Sequence, residues 1–264
     1  TFKKRLEPFY SVDEIHSFFE ILVAKTDGLS RSDIIVNRID LDPDAYEQAI
    51  KRLEAKEPIQ YIVGETIFYN LPFKTDKRAL IPRPETEELV DWIVRENKNI
   101  PLKILDIGTG SGCIAVSLAE ALKQAYISAI DVSDEALSLA QTNAKKIGVS
   151  IDFQQVDILK KDVDESYDLV VSNPPYISYE DLELMDETIT AFEPHLALFS
   201  QDPLAFYNRI LQIFLKNTTV VYFEINNRFV SELTALLELK SCSFEFKSDV
   251  NNNVRFLKVW LTRW

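Results

Sequence analysis

Asn173-Pro174-Pro175-Tyr176 is the stretch of this chain whose residue types could do chemistry. It follows Asp168–Ser172, an apolar β-branched run ending in a polar residue, which predicts a short buried strand. Pro174 and Pro175 have fixed φ and no N–H, so the chain must leave the sheet there in a stiff loop. Proline removes donors but keeps acceptors, so this turn can present carbonyls that no neighbouring amide claims. Asn173 adds a side-chain carbonyl and Tyr176 a flat aromatic face. Together they suit a planar –NH2 group, with two acceptors for its hydrogens and a ring to lie against. Asn-Pro alone would be an ordinary strand-end turn. The four residues carry weight because a second signature lies upstream.

That signature spans Leu102–Asp131. Leu102–Ile107 reads as a strand, Gly108-Thr109-Gly110-Ser111-Gly112 as a tight loop, Cys113–Leu122 as a helix and Tyr126–Asp131 as a second strand, a βαβ unit. Glycines let the backbone fold sharply and approach a ligand closely, and Asp131, at a strand end, can hold ribose hydroxyls. A dinucleotide fingerprint would run Gly-x-Gly-x-x-Gly/Ala. Here the sixth position is Cys113, and the loop is Gly-x-Gly-x-Gly after Asp106. That form better suits S-adenosylmethionine, which has a ribose and an adenine but no pyrophosphate. Asp157 follows a third strand, Ile151–Val156, where it could accept from the adenine amino group or stand as a solvated strand-end acid.

The elements around these loops alternate between helix and strand. Ser133 caps a helix through Lys146 that Gly148 ends. After the Asn-Pro-Pro-Tyr strand come a polar loop to about Asp202, a helix over Pro203–Lys216 and a strand Val220–Ile225. A helix near Phe229–Leu239 comes next, then strands near Ser243–Lys247 and Val254–Leu261. Upstream, residues 1–58 have helical patterning and no chemical motif. Ile15, Phe18, Phe19, Leu22 and Val23 recur at helical spacing before Gly28, Ser30–Asp33 resembles a capping box, and Asp42-Pro43 opens a helix that Pro58 stops. Ile59–Val63 and Thr66–Tyr69 are rich in β-formers and read as a hairpin linker over 59–80. Ile81-Pro82-Arg83-Pro84 stiffens the entry to an amphipathic helix at Glu87–Glu96, and the third segment runs 81–264.

At 264 residues the chain can bury a substantial core. Its net charge of −13 lowers the expectation of a nucleic-acid substrate, which normally calls for a basic stripe. Two cysteines and two histidines give no metal-ligand spacing and no disulfide framework. No apolar run is long enough to span a bilayer, and no secretory leader succeeds the basic N-terminal residues, so a cytoplasmic protein without membrane partners is expected.

With these residues assembled, nearly the whole chain resembles the bacterial release-factor glutamine methyltransferases, the HemK/PrmC family. The resemblance runs through Pro58–Gly64, Leu80–Glu87, Leu105–Gly112, Asp131, Val171–Ile177 and Glu193–Leu198. It implies an α/β fold: a seven-stranded, Rossmann-like, S-adenosylmethionine-dependent methyltransferase domain with its last strand pair antiparallel, preceded by the helical domain and hairpin linker. It further implies that Gly108, Thr109, Gly110, Ser111, Gly112 and Asp131 contact the cofactor, that Ile158, beside Asp157, lines the adenine site, and that Asn173 touches cofactor and substrate. Asn173, Pro174, Pro175 and Tyr176 would grip a glutamine of a class 1 peptide chain release factor, with Asn173, Pro174 and Tyr176 in the catalytic role. Two departures stand out. Glu224-Ile225-Asn226-Asn227-Arg228-Phe229 lacks the family's usual glycine and glutamine, and Asn251-Asn252-Asn253 lacks a usual glycine. The competing readings are an amino-methyltransferase acting on adenine or guanine of nucleic acid, and a non-catalytic nucleotide-binding or scaffold protein.

Overall fold

The computed structural model describes residues 2–30, 32–33, 36, 42–178, 187–215 and 219–261. The chain divides into two compact units, residues 1–65 with 186–192, and residues 66–185 with 193–264.

In the first unit, helices Phe2–Leu6, Val12–Asp27, Glu47–Glu54 and Ile59–Val63 gather Leu6, Ile15, Leu22, Val23, Ile50, Leu53 and Ile59 into a small core. The second of these starts at a reciprocal Ser11/Glu14 capping box and ends at Gly28, φ 68°. Ser30 and Asp33 exchange the expected pair of hydrogen bonds, at 2.8 and 3.2 Å. Residues 34–35 and 37–41 fall outside the described set.

The expected strand over Ile59–Val63 is a short helix instead. Pro58 opens it, and Gly64, at φ 75°, closes it by donating to the Gln60 carbonyl at 2.9 Å. Arg52 donates to the end carbonyls of Tyr61 and Ile62 at 3.2 and 3.3 Å. Strand preference of Ile and Val is a weak bias, and capped ends together with burial of Ile59 and Tyr61 outweigh it.

The hairpin is therefore shorter than expected, β1 (Glu65–Phe68) and β2 (Leu71–Lys74). Its turn is Tyr69-Asn70, both at positive φ as a two-residue turn of this kind requires, so Leu71 and Pro72 belong to the strand.

In the second unit, β3 (Lys103–Ile107), β4 (Tyr126–Asp131), β5 (Asp152–Gln155) and β6 (Leu169–Ser172) run parallel in a seven-stranded sheet, and the strand over Val220–Glu224 joins them parallel to β6. Two residues each of β7 (Ile177–Ser178) and β8 (Phe199–Ser200) pair apart from it, in parallel. The expected loop after Tyr176 thus contains this pair and the helices Glu187–Phe192 and His195–Leu198. Residues 179–186 lie outside the described set, as does Lys216, the expected end of the helix observed over Pro203–Phe214. Then come β9 (Val220–Glu224), β10 (Ser243–Ser248) and β11 (Val254–Trp260). The sheet order is β10-β11-β9-β6-β3-β4-β5, with β11 antiparallel to both its neighbours.

Alternate residues of each strand serve opposite faces. Ile104, Ile127, Leu169, Val171 and Tyr222 pack with helices Pro84–Asn97 and Cys113–Ala121. Leu105, Ile130, Val170, Val221 and Phe223 pack with helices Pro203–Phe214 and Val230–Leu239. Both faces being covered, the strands are near-continuous apolar runs, and an acid that ends one of them has been placed there against that pattern.

Candidate active site

The chain runs β3-β4-β5 to one side of β3 and then returns to lay β6 on its other side. The carboxyl ends of β3 and β6 therefore flank the point where strand order reverses, the place where open α/β sheets bind ligands. Ile107 pairs with Ser172 there, and the Ser172 hydroxyl donates to the Ile107 carbonyl at 2.8 Å. A cavity of about 260 Å³ opens beyond it. Its walls bring together Gly108, Thr109, Gly110, Ser111, Asp131, Asp157, Ile158, Asn173, Pro174 and Pro175.

The glycine loop is shaped by its first and last members. Gly108 (φ 73°) lines the cavity, and a Cβ built there would meet nothing within 4 Å. Gly112 (φ 81°) lies outside the cavity wall and faces helix Asp134–Ile147, where its Cβ would come within 3.0 Å of the Ala140 Cβ. One glycine thus clears space for a ligand and the other lets two helices approach. Asp131 accepts from the Gly110 amide at 2.9 Å with one oxygen and from the Ser133 amide at 2.9 Å with the other. Each carboxylate oxygen can take a second hydrogen bond, so the group can also receive ribose hydroxyls. Burial pushes its carboxyl up, against the backbone amides of Ser133, Gly110 and Val132. Asp106, fully buried beneath the loop, accepts from Thr109 at 2.7 Å, while its other oxygen has no hydrogen-bond partner. Burial raises it to about 7. Glycines that clear a wall, an acid with acceptor capacity and a second acid beneath them fit a cationic nucleoside such as S-adenosylmethionine.

Across the cavity, Asn173 Nδ2 lies 3.5 Å from Thr86 Oγ1, and Thr86 donates to Glu224 Oε2 at 2.6 Å. The Tyr176 hydroxyl reaches toward Glu224 Oε1 at 3.5 Å, and its side chain is not part of the cavity wall. Glu224 is 1 % exposed and Thr86 2 %. Burial lifts the Glu224 carboxyl to about 7, opposed by the Thr86 hydrogen bond and the nearby Arg255 charge. The proline stretch reaches the same cavity through Pro82 and Arg83. Buried Glu193 pins it, accepting from the Ile81 amide at 3.2 Å and from Arg83 at 2.5 Å.

Asp157 is already engaged, with one oxygen accepting from the Leu159 amide at 3.1 Å and the other 2.8 Å from Lys160. Ile158 is buried beside it, its carbonyl taken by Arg209 at 3.0 Å. Burial pushes the Cys113 thiol, on the cavity wall, up to about 12, so it is no thiolate nucleophile. Among the described residues no cluster of His, Cys, Asp or Glu could hold a metal ion, and no helix is long and apolar enough to cross a membrane.

Thr86, Glu193 and Glu224 lie in stretches named above, but the sequence assigned none of them a role. Glu224 had a signal: it closes the apolar run Val220–Phe223 as Asp131 closes its own strand. The two departures also find local explanations. Asn226 stands at φ −86° and caps the next turn by accepting from the Arg228 amide at 3.0 Å. Asn252, at φ 63°, takes the left-handed place of a glycine, a conformation Asn tolerates.

Residues 86–198 match the methyltransferase small domain family and residues 2–64 the PrmC N-terminal domain family. The chain is 43 % identical over 274 residues to a release factor glutamine methyltransferase of Flavobacterium psychrophilum, covering 98 % of this chain and 96 % of the relative. A protein of the same name from Bacteroides thetaiotaomicron is 37 % identical over 249 residues, 90 % of this chain and 89 % of its own. Among solved structures, the hMettl16 catalytic domain in complex with the MAT2A 3'UTR hairpin 1 superposes with a TM-score of 0.61 at 16 % identity, over 92 % of this chain and 90 % of that one, a likeness of fold. With near-complete coverage at such identity, the chain belongs to the release factor glutamine methyltransferase family and is an S-adenosylmethionine-dependent methyltransferase.

Proposed function

We infer that this protein methylates the side-chain amide nitrogen of the glutamine in the Gly-Gly-Gln motif of class 1 peptide chain release factors. The observation that carries this reading is that the Asn-Pro-Pro loop and the glycine loop share one cavity wall. When bound, S-adenosylmethionine supplies an electrophilic methyl group on a cationic sulfur. An amide nitrogen is a poor nucleophile because its lone pair is delocalised into the carbonyl. The chain's task is therefore alignment and exclusion of water. Gly108 and Gly110 give the cofactor close approach, Asp131 holds its ribose, and Asp157 and Ile158 border its adenine. Asn173 Oδ1 and the Pro174 carbonyl accept the two hydrogens of the substrate –NH2, fixing the plane and direction of its nitrogen, and Tyr176 stiffens the loop from behind.

A glutamine side chain offers few atoms, so selecting one in a folded partner needs a second surface. The first unit, helical and without a chemical motif, is assigned that docking role. Removing residues 1–58 should then raise the apparent KM for intact release factor and leave transfer to a short Gly-Gly-Gln peptide little changed.

The direct test incubates the protein with methyl-labelled cofactor and release factor and maps the label by peptide mass spectrometry. Label on the Gly-Gly-Gln glutamine supports the reading. Label on adenine or guanine of added RNA or DNA, with none on release factor, would replace it with the nucleic-acid alternative, against which the net charge of −13 already weighs.

A further inference from the structure

Asn173 is useful to the reaction only in one of its two orientations. Its carboxamide has an acceptor on one arm and two donors on the other. The acceptor must face the substrate if a substrate –NH2 is to be held, so the donor arm needs a partner behind it. The candidate is Thr86 Oγ1, 3.5 Å from Asn173 Nδ2. A threonine hydroxyl would ordinarily accept or donate equally well and so would favour neither orientation. Once Glu224 is ionised, this hydroxyl's single proton is committed to Glu224 Oε2 at 2.6 Å, the short distance of a charge-assisted bond. What remains on Thr86 is lone pairs. They attract the Asn173 –NH2 and repel its carbonyl oxygen.

The three residues come from elements the sheet holds side by side. Glu224 ends β9, Asn173 follows β6, the two strands pair at Ser172 and Phe223, and Thr86 sits in the first turn of helix Pro84–Asn97. Glu224 is itself anchored: Tyr207 donates to its backbone carbonyl at 3.2 Å, and the Ile225 amide donates to the Arg255 carbonyl at 2.7 Å. With Thr86 and Glu224 both buried, water does not compete for the proton. The same carboxylate faces the Tyr176 hydroxyl, so one group addresses both ends of the Asn-Pro-Pro-Tyr loop.

We propose that Glu224, acting through the Thr86 hydroxyl, sets the orientation of the Asn173 carboxamide, making Thr86 and Glu224 positioning residues for methyl transfer. The inference rests on the amide-transfer reaction given above, with Asn173 Oδ1 as an acceptor for the substrate. A group that merely tied helix Pro84–Asn97 to the sheet would matter for folding and for cofactor binding. A group that orders Asn173 matters for turnover.

The test compares full-length wild type, Thr86→Val and Thr86→Ser, with release factor and labelled S-adenosylmethionine. Valine keeps the shape and loses the relay, while serine keeps the hydroxyl. Thr86→Val should lower kcat on the order of 100-fold, the scale of a misaligned reacting group. Its calorimetric Kd for S-adenosylmethionine and its melting temperature should stay near those of wild type, and Thr86→Ser should recover most of the lost turnover. Wild-type turnover in Thr86→Val would overturn the proposal. So would a fall in kcat matched by an equal loss of cofactor binding or folding, or a Thr86→Ser protein as slow as the valine variant. If wild type itself leaves release factor unlabelled, the reaction assignment falls and this inference with it. That result is distinguishable, because it appears before any variant is compared.

Discussion

Asn173 brings the one side-chain carboxamide of its loop to the cavity wall, where the neighbouring prolines contribute backbone carbonyls alone. Asn173→Ala is expected to reduce methyl transfer on the order of 100-fold through misalignment of the amide. Calorimetry should show most of the cofactor affinity retained, since the glycine loop and Asp131 are untouched. Near-normal turnover in that variant would remove Asn173 from the mechanism. Gly112 makes a different kind of demand. A Cβ there meets the Ala140 Cβ at 3.0 Å and its Cα at 3.2 Å, and φ is 81°. Gly112→Ala should therefore destabilise the fold by roughly 2 kcal/mol or more in denaturant titration. Ala140→Gly should relieve the clash but not the backbone strain, so the double variant should be more stable than the two single losses added together.

Between elements, Asn143 shows how the glycine loop is held from outside. It lies fully buried in helix Asp134–Ile147. Its Oδ1 accepts from the Lys74 amide at 2.7 Å, and its Nδ2 donates to the carbonyls of Lys74 at 3.1 Å and Ser111 at 2.9 Å. One side chain thus joins the end of β2, a helix and the loop. Asn143→Ala should cost roughly 1 to 3 kcal/mol. Lys74 lies at the surface, where water can replace its partner, whereas the Ser111 carbonyl is left unsatisfied in the interior. A weaker S-adenosylmethionine affinity should accompany that loss, because Ser111 lines the cavity. Unchanged affinity in a destabilised Asn143→Ala protein would separate the loop's shape from this support.

For the molecule as a whole, two buried acids should leave a mark on stability against pH. Glu224 is raised from 4.5 to about 7 and Asp106 from 3.8 to about 7, in both cases chiefly by burial. Across that window the unfolded chain has released protons that the folded chain still holds. Stability therefore falls as pH rises from about 4.5 to 7, by at most about 1.4 kcal/mol per pH unit for each group. Acids held low by partners, such as Glu96 beside Lys258 and Asp76 beside Arg78, act in the opposite sense, below about pH 4.5. Glu224→Gln should flatten the decline seen in denaturant midpoints at pH 5, 6 and 7. Repulsion from the net charge of −13 is nearly common to both proteins, so the difference isolates Glu224. Parallel slopes would show that Glu224 ionises normally in the folded state.

The features legible in the residues alone are those that covalent structure dictates locally. Proline lacks an N–H, so the chain had to leave the sheet after Asn173. Glycine admits positive φ, so a loop had to form at Gly108–Gly112. Alternating runs of apolar residues had to become a covered sheet, and the observed strands of that sheet lie within a residue or two of those expected. Tertiary structure settled whatever depends on a partner far along the chain. Thr86 and Glu224 are 138 positions apart and Ile81 and Glu193 are 112 apart, and no local pattern pairs them. Gly112 belongs to Ala140 and not to the cavity, a distinction invisible in the Gly-x-Gly-x-Gly spacing. Ile59–Val63 became a helix because Arg52 and Gly64 satisfied its end and a core received its side chains, against the preference of its own β-branched residues. Propensity is a bias of less than about 1 kcal/mol per residue. Burial and satisfied backbone groups outweigh it wherever the fold brings them to bear.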